Sequence, residues 1–160
     1  MASYSLMLPL GNTPTLYLNA GLSHMAPLLR DYVIVGLFSR FGAEWWQRCH
    51  EVNPEPVREK YTSEAKVRGN SDPVFWIKVM ELFWEECFDD RLGPAERSAV
   101  TSLRHYRNHL SHDSSKLSPH DIYQALLAIR LVLRKIAPSS VLEVDSLLLG
   151  LRVQHPACTF

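Results

Sequence analysis

Apolar side chains recur at three- and four-residue steps along most of the chain. No stretch of useful length alternates apolar with polar, so the pattern predicts helices and no sheet. A first helix is expected from about Leu16 to Phe41, with Leu22, Met25, Leu29, Val33 and Leu37 on one stripe. Pro27 lies inside that stretch; it has no amide hydrogen and should kink or split the helix. Gly42 is a stop signal, and Ala43 to Cys49 form a further turn carrying Trp45 and Trp46. Residues 50–72 change texture: they are polar, hold Pro54 and Pro56, and end in Gly69, Asn70 and Ser71. They read as a loop, either a plainly solvated one or a basic arm whose Arg58, Lys60, Lys66 and Arg68 touch phosphates.

The next helix has a defined start, because Asp72 can accept from the free amides of the first turn and Pro73 suits the first helical position. Its stripe of Trp76, Met80, Phe83 and Cys87 is widened by Phe75, Ile77, Val79, Leu82 and Trp84, which implies a central helix or one at a subunit interface. Gly93 and Pro94 open a third helix, to about Ser111, with Ala99, Leu103, Tyr106 and Leu110 facing the core. After a polar break at Asp113 to Leu117, Ser118, Pro119 and Asp121 start a fourth helix, striped by Ile122, Leu126, Ile129, Leu133 and Ile136. Pro138 follows its end, and a last helix runs from about Ser140 to Arg152. The expected architecture is an all-α bundle of about five helices, the third and fourth forming an antiparallel hairpin. It divides as a tail at 1–14, a helical domain at 15–152 and a tail at 153–160.

With 160 residues the chain is long enough for one domain with its own core. Its formal net charge is zero, so a polyanion would have to be held by a local patch rather than by the whole molecule. The three cysteines are odd in number and far apart, with no Cys-x-x-Cys pair, which suits a reducing compartment and argues against a disulfide framework or a thiolate zinc site. Residues Leu6 to Leu10 are too few for a secretory core, and Val33 to Phe38 too few to cross a bilayer. The expectation is a cytoplasmic protein without a membrane partner.

The informative stretch is Arg104-His105-Tyr106-Arg107-Asn108-His109-Leu110-Ser111-His112. At about 100° per residue, Arg104, Asn108, Ser111 and His112 group opposite the apolar stripe, with Arg107 at the margin. Helix stability asks for no such set. An imidazole can take and return protons near neutral pH, and a guanidinium can grip a phosphate and offset charge that grows in the transition state. An amide can orient both. RNA brings its own nucleophile, the 2′-hydroxyl, so these groups suit cleavage to a 2′,3′-cyclic phosphate and a 5′-hydroxyl. The plain alternative is that Arg and His sit near a helix C-terminus because cations offset its dipole. Zinc is a third reading, since His105 and His109 are one turn apart. There is no His-Glu-x-x-His, however, no cysteine nearby, and only Asp113 as an adjacent carboxylate, so no metal or other cofactor is expected.

Arg107-Asn108-His109-Leu110-Ser111-His112 resembles the Arg-Asn-x-x-x-His signature of the HEPN superfamily (higher eukaryote and prokaryote nucleotide-binding domains). The likeness extends to Arg91 through Ser98, to Leu103-Arg104, to Tyr123 through Leu126, and upstream to Gly21-Leu22, Pro27-Leu28 and Gly42 through Trp46. Together these resemble the branch found at the tail of a eukaryotic nuclear transcript-surveillance endonuclease and in prokaryotic defence proteins. The resemblance implies a helical bundle that pairs two-fold, with signature helices facing each other across a shared cleft. It implies an endoribonuclease, toxin-like or antiviral, of a kind that works with an antitoxin or defence-system partner. Arg107, Asn108 and His112 would be catalytic, and Arg104, Ser111 and His109 would contact RNA. The sequence departs from the branch at Ser102, where an acidic residue is common, and at Leu110, where an aromatic is; a missing carboxylate would change how Arg104 or Arg107 is held. Some members of the superfamily keep the fold as binding or assembly modules, so a non-catalytic dimerisation or nucleotide- or RNA-binding module is the alternative.

Overall fold

A computed structural model describes residues 13–52, 60–158 and 160. Among them there is no strand, and seven α-helices follow in order: α1 (Thr15–Phe41), α2 (Trp45–Arg48), α3 (Glu64–Arg68), α4 (Pro73–Leu82), α5 (Pro94–His112), α6 (Pro119–Ile136) and α7 (Val141–Gln154). Five long helices match the sequence pattern, and two short ones are added. α1 is the spine. It packs on α4, α6 and α7, while α5 lies between α4 and α6.

Local chemistry sets the starts. The Asp72 carboxylate accepts from the Val74 amide at 3.0 Å, with Pro73 next in line. Ser118 and Asp121 close α6 reciprocally: the Asp121 amide donates to the Ser118 hydroxyl, and the Ser118 amide donates to the Asp121 carboxylate. At α5 the box is half-made, because Gly93 has no side chain; its amide donates to Glu96 Oε2 at 2.8 Å, and Glu96 is buried.

Pro27 does not split α1. The helix runs unbroken through it, with Met25, Ala26 and Leu29 buried on either side. Burial along the whole apolar face outweighs the hydrogen bond that proline cannot make. Two glycines let neighbours come close. A Cβ at Gly21 would sit 2.7 Å from Leu126 of α6, and one at Gly36 would meet the Phe88 ring. Phe88 belongs to the π-helical turn Trp84–Phe88, which continues α4 and keeps Trp84, Cys87 and Phe88 buried.

Within the polar stretch at 50–72, the described residues 60–72 also hold more structure than their composition suggests. Ser63 caps α3 by accepting from the Lys66 amide, and Val67 is fully buried. Two of the four proposed phosphate contacts have partners there: Lys66 donates to the Thr62 hydroxyl, while Arg68 pairs with Glu64 and lies 5.3 Å from the Trp45 ring. Lys60 is exposed, and Arg58 falls outside the described residues. The C-terminal stretch expected as a tail packs back in part, with Phe160 stacked on Tyr123 at 4.6 Å between ring centres. Many of the large aromatics are core: Trp45, Trp76, Trp84, Phe83 and Phe88 are fully buried or nearly so. Burial also pushes the Cys49 thiol up to about 12, with the nearby Glu51 charge acting in the same direction.

Candidate functional site

The signature occupies the last two turns of α5, where the helix leaves the core. Leu103 is fully buried; Asn108, Ser111 and His112 are exposed. The helix ends at His112, and Asp113 donates its amide to the His109 carbonyl.

Arg107 is held from another helix. Its Nη2 donates to the Asp72 carboxylate, 3.2 Å from Oδ1 and 3.3 Å from Oδ2. Asp72 is thus both the cap of α4 and the anchor of Arg107. A chain of hydrogen bonds fixes it in turn: its amide donates to Asn70 Oδ1 at 2.8 Å, Asn70 Nδ2 donates to the Tyr61 hydroxyl at 2.6 Å, and Trp76 Nε1 donates to the Asn70 carbonyl at 2.7 Å. Burial raises the Tyr61 hydroxyl pKa, the Asp72 charge adds to the rise, and the Asn70 contact opposes it. Tyr61 therefore remains a neutral phenol in this network. Because the carboxylate takes only Nη2, the other guanidinium donors of Arg107 stay open to a ligand.

Arg104 follows the same plan one turn earlier, with Nη1 2.9 Å from Glu81 Oε2 of α4. Both acidic partners therefore come from α4, not from the Ser102 position, whose hydroxyl donates to the Ser98 carbonyl. Sequence reading found Asp72 as a cap and missed it as a partner of Arg107. Glu81 gave no local signal at all.

Arg107, Leu110 and Ser111 line a cavity of about 530 Å³ between α1 and the start of α4. Asn70, Ser71 and Pro73 complete that wall; Asn19, Ser23, Pro27 and Arg30 of α1 form the other, above Leu22 and Ala26. His109 faces away from this cavity. Its Nε2 lies 3.1 Å from that of His105, one ring donating to the other, beside a small hollow shared with Tyr106 and Asp121. Arg104 lines a third hollow, with Lys78 and Glu81. The candidate residues therefore divide: Arg107 and Ser111 share the cavity, Asn108 and His112 are exposed on the adjoining face, and Arg104 and His109 lie on separate flanks. Among the described residues, no group of three or more His, Cys, Asp or Glu side chains is placed to hold a metal ion.

A family model for the Swt1-like HEPN domain matches residues 20–137, from the second turn of α1 through α6. The chain belongs to that family. HEPN domains are typically nuclease or RNA-binding modules, and they often dimerise. The match takes in every residue of the signature and every residue lining the cavity except Asn19. No match is found among curated proteins or among solved structures. No helix among the described residues is long and apolar enough to cross a membrane.

Proposed function

We propose that this HEPN domain is a metal-independent endoribonuclease that acts as a homodimer. In this reading the RNA 2′-hydroxyl attacks the adjacent phosphorus, a 2′,3′-cyclic phosphate forms, and the 5′-oxygen leaves with a proton. His112 acts as the acid or base, Arg107 neutralises charge on the phosphoryl oxygens, and Asn108 orients the reacting groups. Ser111, Arg104 and His109 contact the flanking RNA.

One observation carries the reading: Arg107 is fixed by Asp72 at the mouth of a cavity, while Asn108 and His112 are left exposed at the same helix end. A guanidinium held in place costs little reorganisation when charge develops beside it. The arrangement also supports the dimer. His112 lies five positions after Arg107, about 140° around the helix and about 7.5 Å along it. Facing copies of α5 bring one protomer's arginine toward its partner's histidine across the two-fold axis. Such an enzyme fits a cytoplasmic toxin or antiviral-defence effector, kept in check by an antitoxin or a defence-system partner.

The Arg107–Asp72 pair also favours a second reading. A guanidinium already paired with a carboxylate suits a non-catalytic dimerisation or nucleotide- or RNA-binding module. Incubation of the purified protein with a mixed RNA, followed by end-group analysis, separates the two. The nuclease gives cyclic phosphate and 5′-hydroxyl ends in the presence of EDTA, and His112→Ala lowers the rate by about 10²- to 10⁴-fold with the melting curve unchanged. Full cleavage by the His112→Ala protein, or loss of cleavage in EDTA, refutes the mechanism.

A further inference from the structure

The cavity beside Arg107 has features that phosphate cleavage alone does not require. Its volume of about 530 Å³ lies in the range of small-molecule sites, which run from about 300 to 1,000 Å³. Its apolar lining, from Leu22, Ala26, Pro27, Pro73 and Leu110, suits the flat face of a base. Its polar lining is rich in groups that read a base edge: the Asn19 amide and the Ser23 hydroxyl on α1, with Asn70 and Ser71 opposite.

Pro27 adds a further acceptor. It has no amide hydrogen, so the Ser23 carbonyl, one turn earlier, lacks the donor that would close its helical bond. Both residues line the cavity, and helix α1 keeps a proline there at a cost of about 3 kcal/mol. The charge balance points the same way. The two arginines of the cavity each pair with a carboxylate, Arg107 with Asp72 and Arg30 with Asp31. A nearly neutral cavity, its two guanidiniums each offset by a carboxylate, matches a neutral base and sugar joined to one phosphate better than it matches a run of phosphates.

We infer that this cavity holds the base and sugar of the ribonucleotide adjoining the scissile phosphate, and that Asn19 and Ser23 of α1 set which base is preferred. Placing that nucleotide beside a scissile phosphate rests on the nuclease reading; the cavity's affinity for a base does not. Both residues are exposed, so replacing them leaves the core intact.

The test uses binding and cleavage in parallel. Fluorescence anisotropy of His112→Ala protein with short oligo(A), oligo(C), oligo(G) and oligo(U) is expected to give unequal affinities. Asn19→Ala and Ser23→Ala, each added to that protein, even them out by about tenfold. In the active protein the same two changes relax base preference at one position next to the cut, acting on KM rather than on kcat. Equal affinities for all four oligomers, or a base preference untouched in both variants, overturns the inference. Unequal binding that the α1 variants abolish, in a protein that cuts no RNA, upholds the subsite and refutes the nuclease.

Discussion

From Pro94 to Leu103, α5 is a core helix, with a buried Glu96 closing its first turn and Ala99, Val100 and Leu103 packed inside. From Arg104 to His112 only Tyr106 and Leu110 still pack on the core, and the polar side chains turn outward, toward carboxylates at α4, the α1 cavity and solvent. The first half is held by what it buries. The second buries less, through Tyr106 and Leu110, and adds two ion pairs reaching across to α4, which fix the direction of its arginines. One helix can therefore be rigid at its base and open at its tip, and an open tip on a rigid base is what a preorganised site needs.

The comparison can be broken most heavily in the first half. Leu103→Ala removes a fully buried side chain and is expected to cost about 2–5 kcal/mol in urea or thermal unfolding. A change below about 1 kcal/mol would mean that the base of α5 is not what anchors it. Asp72→Asn sharpens the contrast from the other side. Asparagine caps a helix about as well as aspartate, so the melting curve should hold while the charge opposite Arg107 disappears. Cleavage should then fall about ten- to a hundredfold as the guanidinium loses its position. Equal activity of this variant and the native protein would show that the pair does not position Arg107.

The smallest effect lies just beyond the open tip, where the chain closes again at the start of α6. The Ser118 hydroxyl, and after it the Ser118 amide, donate to Asp121 and hold its carboxyl below its usual range. A carboxyl depressed in the folded state contributes stability above its unfolded pKa and loses it as pH falls through the folded value. Acidification below the usual aspartate range should therefore fray the first turn of α6, and Asp121→Asn should flatten that acid limb in a pH series of melting temperatures. An identical limb in both proteins would place the acid sensitivity elsewhere.

Much of the fold was legible because its signals are short-range. Asp72-Pro73 and Ser118-Pro119 with Asp121 announce helix starts within three residues, and the apolar stripes place five long helices. The all-α bundle and the family were readable for that reason, the latter from a six-residue signature in an ordered background. The helix α3 was hidden by a proline- and charge-rich neighbourhood, and its one decisive feature is the burial of Val67 against the rest of the molecule.

By itself the sequence determined where the helices begin, which faces they bury, and that two arginines, an amide and an imidazole gather near the end of one of them. Only the tertiary structure decided what those groups meet. Arg107 and Asp72 are 35 positions apart, and no periodicity connects them. They meet because the shared core of α1, α4 and α5 brings one helix start against another helix end. The same packing makes the cavity, and it keeps α1 whole through Pro27, since apolar burial along 27 residues outweighs one missing hydrogen bond.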